Sequence, residues 1–167
     1  MMMPVVLRFN KNGVRQFATY YGSNGDDHAG SGVLDTLGNY YITGTTTALI
    51  PFPAVQPSGA FVDNTANGNV DMFIAKFDTA GKVLWATLYG GSGDDYANKI
   101  RMDHNGNIVI IGYHNIGTFS CISKTGAYNS TKGRGFVMKF TSTLQRDWIT
   151  KYGNKVTSPT WGEPFCS

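Results

Sequence analysis

Short segments of alternating apolar and polar residues recur along the chain, and each ends at a turn. Phe73-Ile74-Ala75-Lys76-Phe77 alternates and stops at Asp78-Thr79-Ala80-Gly81. The run from Lys82 to Tyr89 follows, carrying Trp85, and 96–103 alternates weakly up to Asp103-His104-Asn105-Gly106-Asn107. Period-two runs of this length between Gly, Asn and Asp clusters predict strands joined by hairpin turns. The run 107–112 is β-branched on both sides and is expected to be buried on both faces of its sheet. No segment carries a 3.6-residue apolar period with helix formers, so helical repeats are excluded.

The pattern repeats. At a shift of 68, Phe9 falls on Phe77, Gly13 on Gly81, Ala18-Thr19 on Ala86-Thr87, and Tyr21-Gly22 on Tyr89-Gly90. Gly25-Asp26-Asp27 falls on Gly93-Asp94-Asp95, Asp35 on Asp103, Gly38-Asn39 on Gly106-Asn107, and Gly44 on Gly112. Between Leu7 and Gly44 this gives 15 identities in 38 positions. A third copy begins at a shift of 63, where Phe136-Val137-Met138-Lys139-Phe140 answers 73–77 and Trp148, Thr150, Tyr152 and Gly153 answer Trp85, Thr87, Tyr89 and Gly90. The two shifts differ because 45–70 spans 26 residues and its counterpart 113–133 spans 21. A unit that keeps its strands and varies one connection is a structural repeat with a tolerant loop. Four strands per unit, with recurring Gly and aromatic markers, predict β-propeller-type blades.

Composition agrees. Of the 11 acidic residues in 167, only Glu163 is Glu; the others are Asp, a turn residue, and Gly numbers 21. The 14 Lys and Arg give a net charge of +3 but stand singly, which argues against nucleic acid as a partner. No apolar run is long enough for a membrane span. The opening 1–7 lacks the basic and apolar regions of a signal peptide. Cys121 and Cys166 form neither a disulfide framework nor a zinc set, although they could pair if the protein is exported.

Lys76-Phe77-Asp78, the segment from Trp85 to Gly91, Ser92-Gly93-Asp94-Asp95-Tyr96 and the segment from Asp103 to Gly112 resemble, in order and spacing, the SBBP-type bacterial β-propeller repeat. That family's Phe-Pro…Pro-Gly-Ala-aromatic linker is similar to Phe52-Pro53 and Ser58-Gly59-Ala60-Phe61, with only Thr125-Gly126-Ala127-Tyr128 kept in the next copy. The resemblance covers 5–153 and implies propeller blades and a bacterial cell-surface or secreted setting, without one shared chemistry. The expected organisation is an all-β, incomplete propeller domain over 1–153, with a half blade at 5–21, blades of four antiparallel strands at 28–89 and 96–152, and a non-repeat tail at 154–167. A ring normally needs at least four blades, so this chain alone is not expected to close one.

In such a blade the long loops 45–70 and 113–133 share a face with 22–27 and 90–95, and the turns 35–39, 78–82 and 103–107 lie opposite. The candidate binding residues on that loop face are Asp26, Asp27, Asp94 and Asp95, with Phe52, Phe61, Phe119 and Tyr128 as exposed aromatics. Asp after Gly most simply accepts backbone N–H bonds in a tight turn, and Asp26 and Asp94 are the expected acceptors. No metal or other cofactor is expected; the alternative is calcium at Asp26 and Asp94. Asp103-x-Asn105-Gly106-Asn107 lacks the bidentate Glu of a calcium loop and reads as a turn. Paired carboxylates can hydrolyse glycosides, but a pair recurring in each repeat is not a single catalytic site. His28, His104 and His114 show no ligand spacing, and no nucleophile elbow, phosphate loop or zinc-protease motif is present.

Trp85, Trp148 and Phe17 occupy equivalent positions and are expected in the core between blades. The strand edge near 5–9 and the sheet face carrying Trp148 are expected to seek partners. The function expected from all this is a non-enzymatic surface or secreted module that binds other protein chains or copies of itself. Two alternatives are a lectin-like module whose loop face takes glycans, and an accessory domain of a larger secreted enzyme.

Overall fold

The computed structural model describes residues 2–47 and 52–153. They form ten strands: β1 (Val5–Phe9), β2 (Arg15–Tyr20), β3 (Asp27–Leu34), β4 (Tyr40–Thr46), β5 (Asp71–Phe77), β6 (Val83–Tyr89), β7 (Asp95–Met102), β8 (Ile108–His114), β9 (Gly135–Phe140) and β10 (Arg146–Tyr152). All pairings are antiparallel, in a two-stranded sheet β1-β2 and two four-stranded sheets, β3-β4-β5-β6 and β7-β8-β9-β10. The described residues contain no helix, and the sheets do not close into a barrel. No helix among them is long and apolar enough to cross a membrane. The tail 154–167, with Cys166 and Trp161, lies outside the described residues.

The turns explain why the repeat keeps its Asp and Gly. Asp35 Oδ1 accepts the N–H groups of Leu37 and Asn39, and Oδ2 accepts Asn39 Nδ2. Asp103 does the same with Asn105 and Asn107. In each turn a glycine takes the left-handed conformation, Gly38 at φ 81° and Gly106 at φ 76°, which side-chain residues seldom adopt. Both oxygens of Asp103 are engaged, since Lys139 Nζ also lies 3.1 Å from Oδ2, so this loop is a turn and not a calcium loop. The bulges repeat too: the register shifts at Ala29/Ser31 and again at Ala97/Lys99, 68 residues on. Here β7 packs across β3, β4 and β5 of the neighbouring sheet. A Cβ on Gly30 would lie 3.0 Å from the carbonyl oxygen of Ala97, so the bulged strands approach closely at that glycine.

The sheet β3–β6 lies between the other two, and its alternating residues feed two cores. Tyr41, Met72, Ile74, Trp85 and Tyr89 pack with Ala97, Ile100, Ile108, Ile110, Phe136, Met138, Phe140 and Ile149 of β7–β10. Ile42, Phe73, Ala75, Phe77, Ala86 and Leu88 face the other way and pack with Val6, Tyr21 and Phe52. Strand β5, which reads as alternating, is therefore buried on both faces save for Lys76. Strand β8, expected to be buried on both, buries Ile108 and Ile110 but leaves Val109 and Ile111 half-exposed. The reason is the layer order: among the described residues no sheet covers the outer face of β7–β10.

Trp85 is fully buried and donates its indole N–H to the carbonyl oxygen of Phe61, 2.8 Å away. The equivalent Trp148, on the outer face beside Lys139, is half-buried. Phe17, the third equivalent, is half-buried against the core of β3–β6, with its ring over Gly81.

Candidate functional site

The connections 22–27, 90–95 and the long loops meet on one side of the sheets. Ser92 N–H donates to the carbonyl oxygen of Thr118 and Asp95 N–H to that of Val70. Each Gly-Asp-Asp segment enters the first strand of its sheet here, which puts the second aspartate on the strand itself. The structure corrects the expectation at this point: the buried acceptors are Asp27 and Asp95, not Asp26 and Asp94. Asp27 is 1% exposed and accepts Ser23 N–H at 2.7 Å and Ser23 Oγ–H at 3.2 Å, and Ser23 Oγ also lies 3.2 Å from Thr46 Oγ1. Asp95 is 1% exposed and accepts Gly91 N–H at 2.6 Å. Alternation explains the exchange, because adjacent residues entering a strand point to opposite sides. Asp26 is exposed and accepts Met2 N–H, and the half-buried Asp94 accepts Asn115 Nδ2–H.

A further carboxylate, one that sequence reasoning missed, reaches the second of these sites. Asp71, 2% exposed, accepts the N–H groups of Asn67 and Gly68 through Oδ2. Its equivalents in the other copies are Met3 and Arg134, so no repeat signal marked it. Burial, only partly offset by the Gly91 N–H, pushes the Asp95 carboxyl up to about 7, and the negative charges of Asp71 and Asp94 add to the rise. Burial likewise raises Asp71, against the two backbone N–H bonds it accepts. Among the described residues no group of three His, Cys, Asp or Glu side chains gathers as a metal centre.

The four aromatics do not form one exposed row. Phe52 is 1% exposed and packs against Tyr21 and Phe73, with ring centroids 5.7 and 5.6 Å away. Phe119 is buried between His114, at 4.9 Å, and Phe136, at 4.7 Å. Both loops fold back onto the sheets because their aromatic area is worth about 2–3 kcal/mol each when buried. Phe61 is half-buried, with the Arg146 guanidinium 3.9 Å above its ring. Tyr128 alone is well exposed, at 70%.

His114 is packed, with Nδ1 and Nε2 near the carbonyl oxygens of Asn115 and Gly133. His28 and His104 are exposed. A cleft beside His114 is lined by Thr131, Lys132, Arg134 and Lys151. The chain matches no protein-family model and no curated protein.

Proposed function

We propose that this protein is a non-enzymatic β-propeller repeat module that assembles with further protein through its two end faces. In this reading β3–β6 and β7–β10 are adjacent blades with β3 and β7 innermost, and β1-β2 is the outer half of a third. The observation that carries it is a contrast between equivalent positions. Phe73, Ala75, Phe77 and Leu88 are 0% exposed beneath β1-β2, whereas Val5, Leu7, Phe9 and Tyr20, one repeat earlier, are 47, 48, 55 and 70% exposed. At the other end Trp148 offers the face that Trp85 buries against the next sheet. The two open faces are thus of the two kinds that already pack on each other inside the chain. Large exposed apolar faces of this sort mark interaction surfaces.

The Gly-Asp-Asp motif supports a scaffold role, since its buried aspartate recurs in both four-stranded sheets as a turn acceptor. The surface or secreted setting rests on the resemblance to SBBP-type repeats. A lectin-like reading loses Phe52 and Phe119, which belong to the cores. The test is a double variant, Leu7→Glu with Phe9→Asp, compared with wild type by analytical ultracentrifugation. Charges on this face should disperse the assembly while far-UV circular dichroism stays unchanged. Undiminished association would refute the assignment of β1-β2 as a docking face.

A further inference from the structure

The Asp27 and Asp95 sites are the same position in two copies, yet they are satisfied differently. Ser23 bonds Asp27 and Thr46 pairs with it in register; one repeat later these positions become Gly91 and His114, and the position of Met3 becomes Asp71. The second site has lost the Ser23 hydroxyl that donates to Asp27 and gained a second buried carboxylate. The backbone N–H donors occupy one oxygen of each acid, Asp71 Oδ2 and Asp95 Oδ2. The remaining oxygens, Asp71 Oδ1 and Asp95 Oδ1, are buried and have no hydrogen-bond partner. Leaving buried acceptors unmet is costly, and bringing two acids together adds to that cost; the buried Lys151 favours the charged form of Asp95 but forms no ion pair with it.

The two carboxylates also converge. A Cβ placed on Gly90 would lie 1.9 Å from Asp71 Oδ1 and 2.8 Å from Asp95 Oδ2. Any side chain there would run into both carboxylates, so the acids come close at this glycine. Among the described residues no salt bridge reaches either acid.

We propose that Asp71 and Asp95 form a binding site for a hard divalent cation of the calcium class. The donors are carboxylate oxygens with no sulfur, and the adjacent His114 has both ring nitrogens against the carbonyl oxygens of Asn115 and Gly133, which selects against zinc and copper. Calcium accepts irregular oxygen coordination and completes its shell with carbonyl oxygens and water, whereas magnesium demands a near-ideal octahedron. A cation here ties the entrance of β5 to the entrance of β7, and so couples the two four-stranded sheets. The site is distinct from Asp26, which is exposed.

The probe is calcium chloride titrated calorimetrically into chelator-treated full-length protein at pH 7.5. The expected result is one calcium per chain, with affinity at least tenfold weaker in Asp71→Asn and in Asp95→Asn and unchanged in Asp26→Asn. Calcium should raise the melting temperature of the wild type by mass action and of neither site variant. Carbon-13 shifts of the side-chain carboxyls locate the ion in the wild type even if a variant fails to fold: Asp71 and Asp95 should move and Asp27 should not. Absence of binding at millimolar calcium overturns the proposal, as does binding that moves other carboxyls. A melting temperature that responds to pH alone would also overturn it, by assigning the space to a shared proton.

Discussion

Strands β1-β2 and β5-β6 are the same pair of sequence elements in two surroundings. In β5-β6 the face carrying Phe73, Ala75 and Phe77 is sealed by β1-β2 and the loop residue Phe52, and nothing of those three side chains reaches solvent. In β1-β2 the matching face, with Val5, Leu7 and Phe9, lies open at about half exposure. Local turn chemistry is equal in the two: Asn10 accepts Asn12 and Val14 N–H in one turn, and Asp78 accepts Ala80 and Lys82 N–H in the other. A repeat therefore specifies strand, turn and bulge by itself, but its core is completed only by a neighbour, as expected of stacked units.

The strongest way to break this comparison is to delete matched aromatics. In dispersed protein, Phe77→Ala should cost about 3–5 kcal/mol, as large-to-small changes in a sealed core do. Its equivalent Phe9→Ala should cost less than about 1 kcal/mol, as surface changes do. Guanidinium melts measure both, and equal losses would show that the two sheets do not differ in burial. Trp85→Ala against Trp148→Ala poses the same question at the other end, with the larger loss again at the enclosed residue.

A smaller effect sharpens which aspartate of each pair holds its turn. Asp27→Ala should cost about 1–3 kcal/mol, because Ser23 N–H loses its buried acceptor. Asp27→Asn keeps an acceptor oxygen and should cost less, while Asp26→Ala should leave the melting midpoint unchanged. Thermal denaturation separates the three, and a midpoint more sensitive to Asp26 than to Asp27 would reverse the assignment.

The smallest expected effect is on pH. In chelator the folded Asp95 carboxyl titrates near 7, above the ordinary 3.8, so the folded state holds its proton more tightly than the unfolded chain. Its contribution to stability is complete below about pH 3.8 and is lost as pH rises through 7. Melting temperatures between pH 4 and 7.5, normalised to Asp95→Asn, should show this decline; a flat difference would contradict it.

Much of the architecture was legible in the chain. The shift of 68 located matching strands, turns and the connections that meet on the loop face, because Asx turns and period-two alternation are local properties. What escaped was set by tertiary neighbours. Whether β5 or β8 is buried twice depends on layer order, not on which is richer in β-branched residues. Phe52 and Phe119 read as exposed because they stand in loops, but the loops return to the sheets. The Asp pair was recognised, while the choice between its members needed the strand phase, and Asp71 joined the site from a position that no other copy shares.

The most direct measurement is the native mass of the wild-type chain by light scattering across micromolar concentrations. Open faces of both kinds at the two ends predict species heavier than 18.2 kDa that grow with concentration. A monodisperse 18.2 kDa monomer at every concentration would contradict the claim that these faces are built to be covered.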